Sequence, residues 1–250
     1  MGKKWSYENL MVINDLKSYY LVFTKSQKDF ATRFTANNKY LERLSVTQIL
    51  EVWIADDGSW SNNTQEILKK GSSRISFLTK LKYAGVKIED LLEIYQLFIR
   101  NCAEYCSVAF HSGPTESESQ SLERLQSTCL KVILQDNYVS YSAALEMTGL
   151  QTLYERREER CLNFSIKCIK HEQNSRFFPL NPNIQNGRTV LGEKFIVNHG
   201  RTEDYRFSTI PYCQRMLNSH FKNKQLPKTT KSKIKAVSYT HLTLPTILLV

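Results

Sequence analysis

Ile88-Glu89-Asp90-Leu91-Leu92-Glu93-Ile94-Tyr95-Gln96-Leu97-Phe98-Ile99-Arg100-Asn101-Cys102-Ala103-Glu104-Tyr105-Cys106 is the stretch that decides the fold. Its apolar residues Ile88, Leu91, Leu92, Tyr95, Phe98, Ile99, Cys102 and Cys106 recur three and four apart. That is the period of one helical face, not the alternation of a strand. The run is too long for a strand and too often interrupted by charge for a membrane span. It predicts an amphipathic helix whose stripe, cysteines included, faces a core.

The same period extends on both sides. Upstream, Leu68, Ile75, Leu78 and Leu81 predict a helix that begins near Asn62 and ends at Gly85. Downstream, Thr115 and Glu118 have the spacing of a capping box and open a helix through Leu122, Leu125, Cys129, Val132 and Ile133. A short helix around Ser142 to Met147 stops at Gly149, and another runs from Leu153 to about His171. Long helices with short connections predict a bundle.

The first 60 residues read differently. Tyr19 to Phe23 and Ile49 to Ile54 have strand composition, Asn37-Asn38 marks a hairpin turn, and Asp56-Asp57-Gly58 marks a second turn. After Arg176 the helical period dissolves into Phe177-Phe178-Pro179-Leu180-Asn181-Pro182-Asn183 and then basic, polar sequence with scattered aromatic residues. Lys222 to Lys235 has few apolar residues and no acid, which predicts disorder when free. The fold class is therefore mainly α with a small N-terminal β part: a β-hairpin, a helical bundle and an irregular basic extension. The boundaries fall at residues 1–60, 61–175, 176–235 and 236–250. The last segment stands apart. Ala236 to Thr246 is compatible, codon by codon apart from the first base, with the transposase-end adapter of tagmentation libraries, so 236–250 reads as translated adapter and carries no functional argument.

The formal net charge of +10 is unevenly distributed. Residues 176–235 carry 12 Lys+Arg against 3 Asp+Glu, so +9 of the +10 lies in that segment. Such asymmetry points to a polyanionic partner, with nucleic acid ahead of a membrane. In the segment Arg201, Tyr205, Arg206, Tyr212, Arg215, His220, Phe221 and Lys222 mix cations with flat rings, the combination that pairs phosphate neutralisation with base stacking. Lys69, Lys70, Arg74, Lys80 and Lys82 decorate the first long helix.

Six cysteines without a signal peptide favour free thiols in a reducing compartment, cytoplasmic or nuclear. None forms a CxxC pair, and Cys161 and Cys168 are about 10 Å apart by helical rise, too far to share one zinc. His111, at a helix end before Ser112-Gly113-Pro114, reads as a surface or capping residue, as do His199 and His220.

Several segments, in order over residues 8–221, together resemble the region that follows the palm in reverse transcriptases of non-LTR retrotransposons of the jockey-like and chicken-repeat-like lineages. They are Val12-Ile13-Asn14-Asp15-Leu16-Lys17 leading into Tyr20-Leu21-Val22-Phe23, then Ser72-Ser73-Arg74-Ile75 and Leu78-Thr79-Lys80-Leu81. Leu92, Ile94-Tyr95, Phe98-Ile99-Arg100 and Glu104-Tyr105-Cys106 follow. Leu122-Glu123-Arg124-Leu125-Gln126, Arg201-Thr202-Glu203 and Ile210-Pro211-Tyr212 complete the set. By this resemblance Asn14 and Lys17 belong to the last palm motif, with Lys17 near the phosphates of an incoming nucleotide. Leu50, Glu51, Val52 and Trp53 match the primer grip, and residues 62–171 match the thumb that clasps a template-primer duplex. The family's grip carries Leu-Gly-Val, so Glu51 puts a carboxylate where backbone should approach phosphates.

Ile54-Ala55-Asp56-Asp57-Gly58 imitates the aspartate pair that holds two magnesium ions in such polymerases. In the family that pair precedes the Lys17 motif and here it follows, so Asp56 and Asp57 read as turn residues. The resemblance thus implies part of an RNA-directed DNA polymerase without its catalytic aspartates. Its expected partners are an RNA or DNA template-primer and the remaining palm and fingers, with no membrane, no metal and no cofactor of its own; magnesium would serve the parent enzyme. A helical interaction scaffold and an inert remnant are the alternatives from other classes.

Overall fold

The computed structural model of the chain describes residues 6–12, 14, 17–24, 33–36, 39–182 and 194–222. It is mainly helical, with short strands confined to the N-terminal part. The Asn37-Asn38 turn, the stretch beyond Lys222 and the 236–250 ending lie outside the described residues. Among those described, no helix is long and apolar enough to cross a membrane.

Strand β1 (Tyr19–Tyr20) pairs in parallel with β4 (Glu42–Arg43), while β2 (Thr35–Ala36) pairs antiparallel with β3 (Lys39–Tyr40). β5 (Val46–Ile49) and β6 (Val52–Ala55) form the longest hairpin, with Val46 opposite Ala55 and Ile49 opposite Val52. The expected strand Ile49 to Ile54 therefore contains a reversal. Leu50 and Glu51 make the turn, at φ of 49° and 66°. Two positive-φ residues match the right-handed twist of the flanking strands, and Asn-Gly is the usual sequence there. Leu and Glu carry no such signal, so composition could not reveal the turn. The expected strand Tyr19 to Phe23 shrinks to its first two residues.

Helix α1 (Ser61–Tyr83) ends where Gly85 adopts a φ of 83°. α2 (Ile88–Ile94) continues without a break through a π-helical segment (Tyr95–Arg100) into α3 (Asn101–Glu104). α4 (Ser107–Phe110) follows the positive-φ residue Cys106. α5 (Glu116–Leu134) opens on the expected capping box, in which Thr115 Oγ1 accepts from the Glu118 amide and the Glu118 carboxylate accepts from the Thr115 amide. α6 (Tyr141–Thr148) stops at Gly149, and α7 (Leu153–Lys170) opens on a second capping box, from Thr152 and Glu155. α8 (Glu203–Arg206) and α9 (Thr209–Phe221) complete the set.

Two departures from the expected pattern matter. The buried apolar residues of the Ile88–Cys106 stretch are Leu91, Tyr95, Ile99 and Ala103, spaced four apart. An α-helix would rotate such a series steadily off one line, but the wider π turn keeps it aligned. Phe98 is consequently exposed, Cys102 is half-buried and Cys106 is exposed, rather than packed in the core. The second departure is α9, which replaces irregular chain with an amphipathic helix. Its Cys213, Leu217 and Phe221 pack with Cys161, Cys168 and Ile169 of α7 and with Phe178 and Phe195. Arg215, Ser219 and Lys222 interrupt the apolar series in sequence, but they lie on its other faces.

The main core brings Leu78 of α1, the α2 and π-segment series, Cys129, Leu130 and Ile133 of α5 and Ala144 of α6 together. Gly71 permits the closest approach of α1 to α5, since a Cβ there would lie 2.6 Å from Leu125 Cδ2. A polar seam runs beside this core. Tyr95 Oη donates to Gln126 Oε1 (2.5 Å), Gln126 Nε2 donates to Tyr141 Oη (2.9 Å), and Tyr141 Oη donates to Glu123 Oε2 (2.6 Å). The Glu123 carboxylate also accepts from the Leu153 and Tyr154 amides at the start of α7, where the helix dipole favours negative charge. Leu122-Glu123-Arg124-Leu125-Gln126 is thus a packing and capping motif in this fold.

Candidate nucleic-acid interface

The hairpin is fastened to the helices at three points. Tyr105 Oη donates to the Leu50 carbonyl (3.0 Å), the Trp53 amide donates to Asn63 Oδ1 (3.2 Å), and Lys70 Nζ lies 2.8 Å from Glu51 Oε2. The Lys70 hydrogen bond and charge hold the Glu51 carboxyl below the usual carboxylate range. Val52 is buried, Trp53 is half-buried, and Leu50 is exposed. Lys17 is exposed just before β1.

The cations of α1 do not form one face. At about 100° per residue, Lys69 and Lys80 fall within about 20° of each other, whereas Lys70, Arg74 and Lys82 lie at about 100°, 140° and 220° from Lys69. Three of the five are already engaged. Lys69 pairs with Glu66 (3.5 Å), Lys70 pairs with Glu51, and Arg74 donates to the Phe98 carbonyl with its guanidinium 4.2 Å from the Phe98 ring centroid.

The C-terminal helices do bring expected residues together. Thr202 Oγ1 accepts from the Tyr205 amide to cap α8, and the Tyr205 ring packs against Gly200. The Arg206 and Arg215 guanidinium groups each lie 5.9 Å from the Phe207 ring centroid, and Arg215 donates to the Arg206 carbonyl (2.8 Å). Phe207 is 48% exposed, so the stack opens to solvent. Arg201 is exposed beside it in sequence. Phe207 carries no signal in the sequence beyond being one more aromatic residue in a basic segment.

Tyr212 is drawn inward. Its hydroxyl meets His111 Nε2 (3.1 Å) and donates to Glu158 Oε1 (3.4 Å). His111 is correspondingly buried against Tyr154 and Tyr212, rather than at the surface as its helix-end position predicts. Burial, helped by the Arg157 charge, pushes its pKa down to about 4, so the imidazole is neutral at pH 7. Beside it an open groove of about 510 Å³ runs between α7 and α9, lined by Glu155, Glu158, Glu159, Arg215 and His220 among others.

A second cationic group lies outside the basic segment. Glu104, 2% exposed, accepts from Arg156 Nε (2.6 Å) and Arg160 Nη2, and Arg100 Nε lies 3.4 Å away as an ion pair. Burial opposes ionisation of Glu104, but the Arg156 hydrogen bond and the Arg160, Arg156 and Arg100 charges outweigh it and lower its pKa. Three guanidinium groups around one carboxylate leave a surplus of two positive charges. The four-residue spacing of Arg156 and Arg160 was legible as one helical face; the burial of Glu104 was not.

Asp56 and Asp57 sit in the turn between β6 and α1. The Asp56 amide donates to the Ser45 carbonyl (2.8 Å) and its carboxylate lies 3.9 Å from Arg43, while Asp57 Oδ1 accepts from the Ser59 amide (2.8 Å). Among the described residues no group of three or more His, Cys, Asp or Glu side chains is placed to hold a metal. No protein family, curated protein or solved structure matches the chain.

Proposed function

We propose that the chain is the nucleic-acid-holding part of an RNA-directed DNA polymerase of a mobile element, the end of a palm followed by a thumb and a basic post-thumb extension. The observation that carries the reading is the Arg206, Phe207 and Arg215 stack on the most basic segment. Two guanidinium groups there lie close to one solvent-open ring, an arrangement suited to phosphates and an unpaired base. The hairpin fastened to α1 and the order of helices after it support the assignment to grip and thumb. Exposed Tyr19, Phe23 and Tyr40 near the short strands suit contact with the remaining palm and fingers. Asp56 and Asp57, engaged within their turn, are assigned no catalytic part.

Binding of a fluorescent RNA hairpin with an unpaired loop tests the reading. Phe207→Ala is expected to weaken it by about 5-fold or more with little change in salt dependence, whereas Arg206→Gln with Arg215→Gln flattens the salt dependence. Unchanged binding in all variants would contradict it. The engagement of Lys70, Arg74 and Tyr212 within the chain, together with the glutamate-lined groove, favours a second reading, a helical scaffold for another protein. That reading predicts no binding by the unaltered chain.

A further inference from the structure

The cations best aligned for a polyanion lie on α7, outside the residues that sequence analysis selects. Arg156, Arg160 and Lys167 are separated by four and seven residues, which places them within about 40° of one another round the helix and over about 16 Å of its length. That length matches about five nucleotide steps of one strand at 3.4 Å each. The α1 cations have no comparable alignment.

The stripe is also organised in advance. Glu104 holds the inner sides of Arg156 and Arg160, whose side chains are 26% and 43% exposed, so each keeps donors for an outside ligand while its rotamer is already fixed. A fixed fork costs little entropy on binding and suits the paired oxygens of a phosphodiester. Lys167 is exposed and makes no ion pair among the described residues. Phe164, 40% exposed, lies about 40° from Arg160 round the helix and offers a ring beside the line of charge. Glu155 and Glu159 line the groove with α9, and Glu159, about 60° from Arg156 round the helix, also acts on that guanidinium through its charge, so the basic edge ends at Arg156.

We infer that this α7 edge, anchored by Glu104, is a docking strip for the phosphate backbone of a nucleic acid. The inference rests on the nucleic-acid reading above and gives it a location. The probe is a fluorescent RNA–DNA hybrid of about 20 base pairs, titrated with the full chain at several salt concentrations. Arg160→Gln and Lys167→Gln leave Arg156 in place to neutralise Glu104, and circular dichroism confirms that both variants fold. Each should reduce the steepness of log affinity against log salt by about 0.9, and the pair by about twice that. Lys69→Gln and Lys80→Gln should change it less.

If the unaltered chain binds and the α7 variants match it, the strip is elsewhere and the inference falls while the wider reading stands. If the unaltered chain shows no binding at 50 mM salt, both fall. Polyglutamate competing as well as the hybrid would overturn the nucleic-acid assignment in favour of an acidic protein surface.

Discussion

His111 shows how one side chain ties pH to stability. It is buried, its Nδ1 finds no hydrogen-bond partner among the described residues, and Arg157 lies close enough to oppose its protonation. A histidine with pKa about 4 in the folded chain and 6.5 unfolded takes up its proton more readily when unfolded. Its contribution to stability is therefore complete above pH 6.5 and is lost as pH falls toward 4. Between pH 7 and 5 the loss is about 2 kcal/mol, and His111→Asn should remove most of that slope. Urea melts at several pH values check it, and a variant as pH-sensitive as the parent in this window would contradict the assignment. The sequence could not supply this. His111 stands before Ser112-Gly113-Pro114, which reads as an exposed helix end, and the distant Tyr154 and Tyr212 pack against it.

At the scale of elements, most helices were legible because their signals are local. Thr115 with Glu118 and the stops at Gly85 and Gly149 are each written within a few residues, and the structure contains all of them. The departures are non-local or depend on a change of period. The π segment realigns Tyr95, Ile99 and Ala103 and turns Cys102 and Cys106 outward. Helix α9 packs against α7 and Phe178, both distant in sequence, and against Phe195, so the mixed polar sequence around Arg215 and Ser219 conceals a buried face. Leu217, fully buried there, is the direct test. Leu217→Ala should cost about 2–5 kcal/mol in denaturant melts, as for other leucines removed from a packed core. A cost below about 0.5 kcal/mol, the range of surface substitutions, would mean that α9 is not packed in solution.

At the scale of the whole molecule, the charge asymmetry that the sequence displays most plainly is only partly a free surface. Lys70, Arg74, Arg206 and Arg215 make intramolecular contacts, while the surplus around Glu104 emerges only when Arg100, Arg156 and Arg160 converge in three dimensions. The candidate site was therefore legible as a composition but not as a place. Its central claim is that these cations together neutralise phosphates, and salt titration counts such contacts. The decisive measurement is the affinity of the unaltered chain for an RNA–DNA hybrid, by fluorescence anisotropy at a series of salt concentrations. With about five phosphates neutralised, affinity should fall about 500-fold between 50 and 200 mM salt. No binding at 50 mM salt, or an affinity independent of salt, would contradict the account.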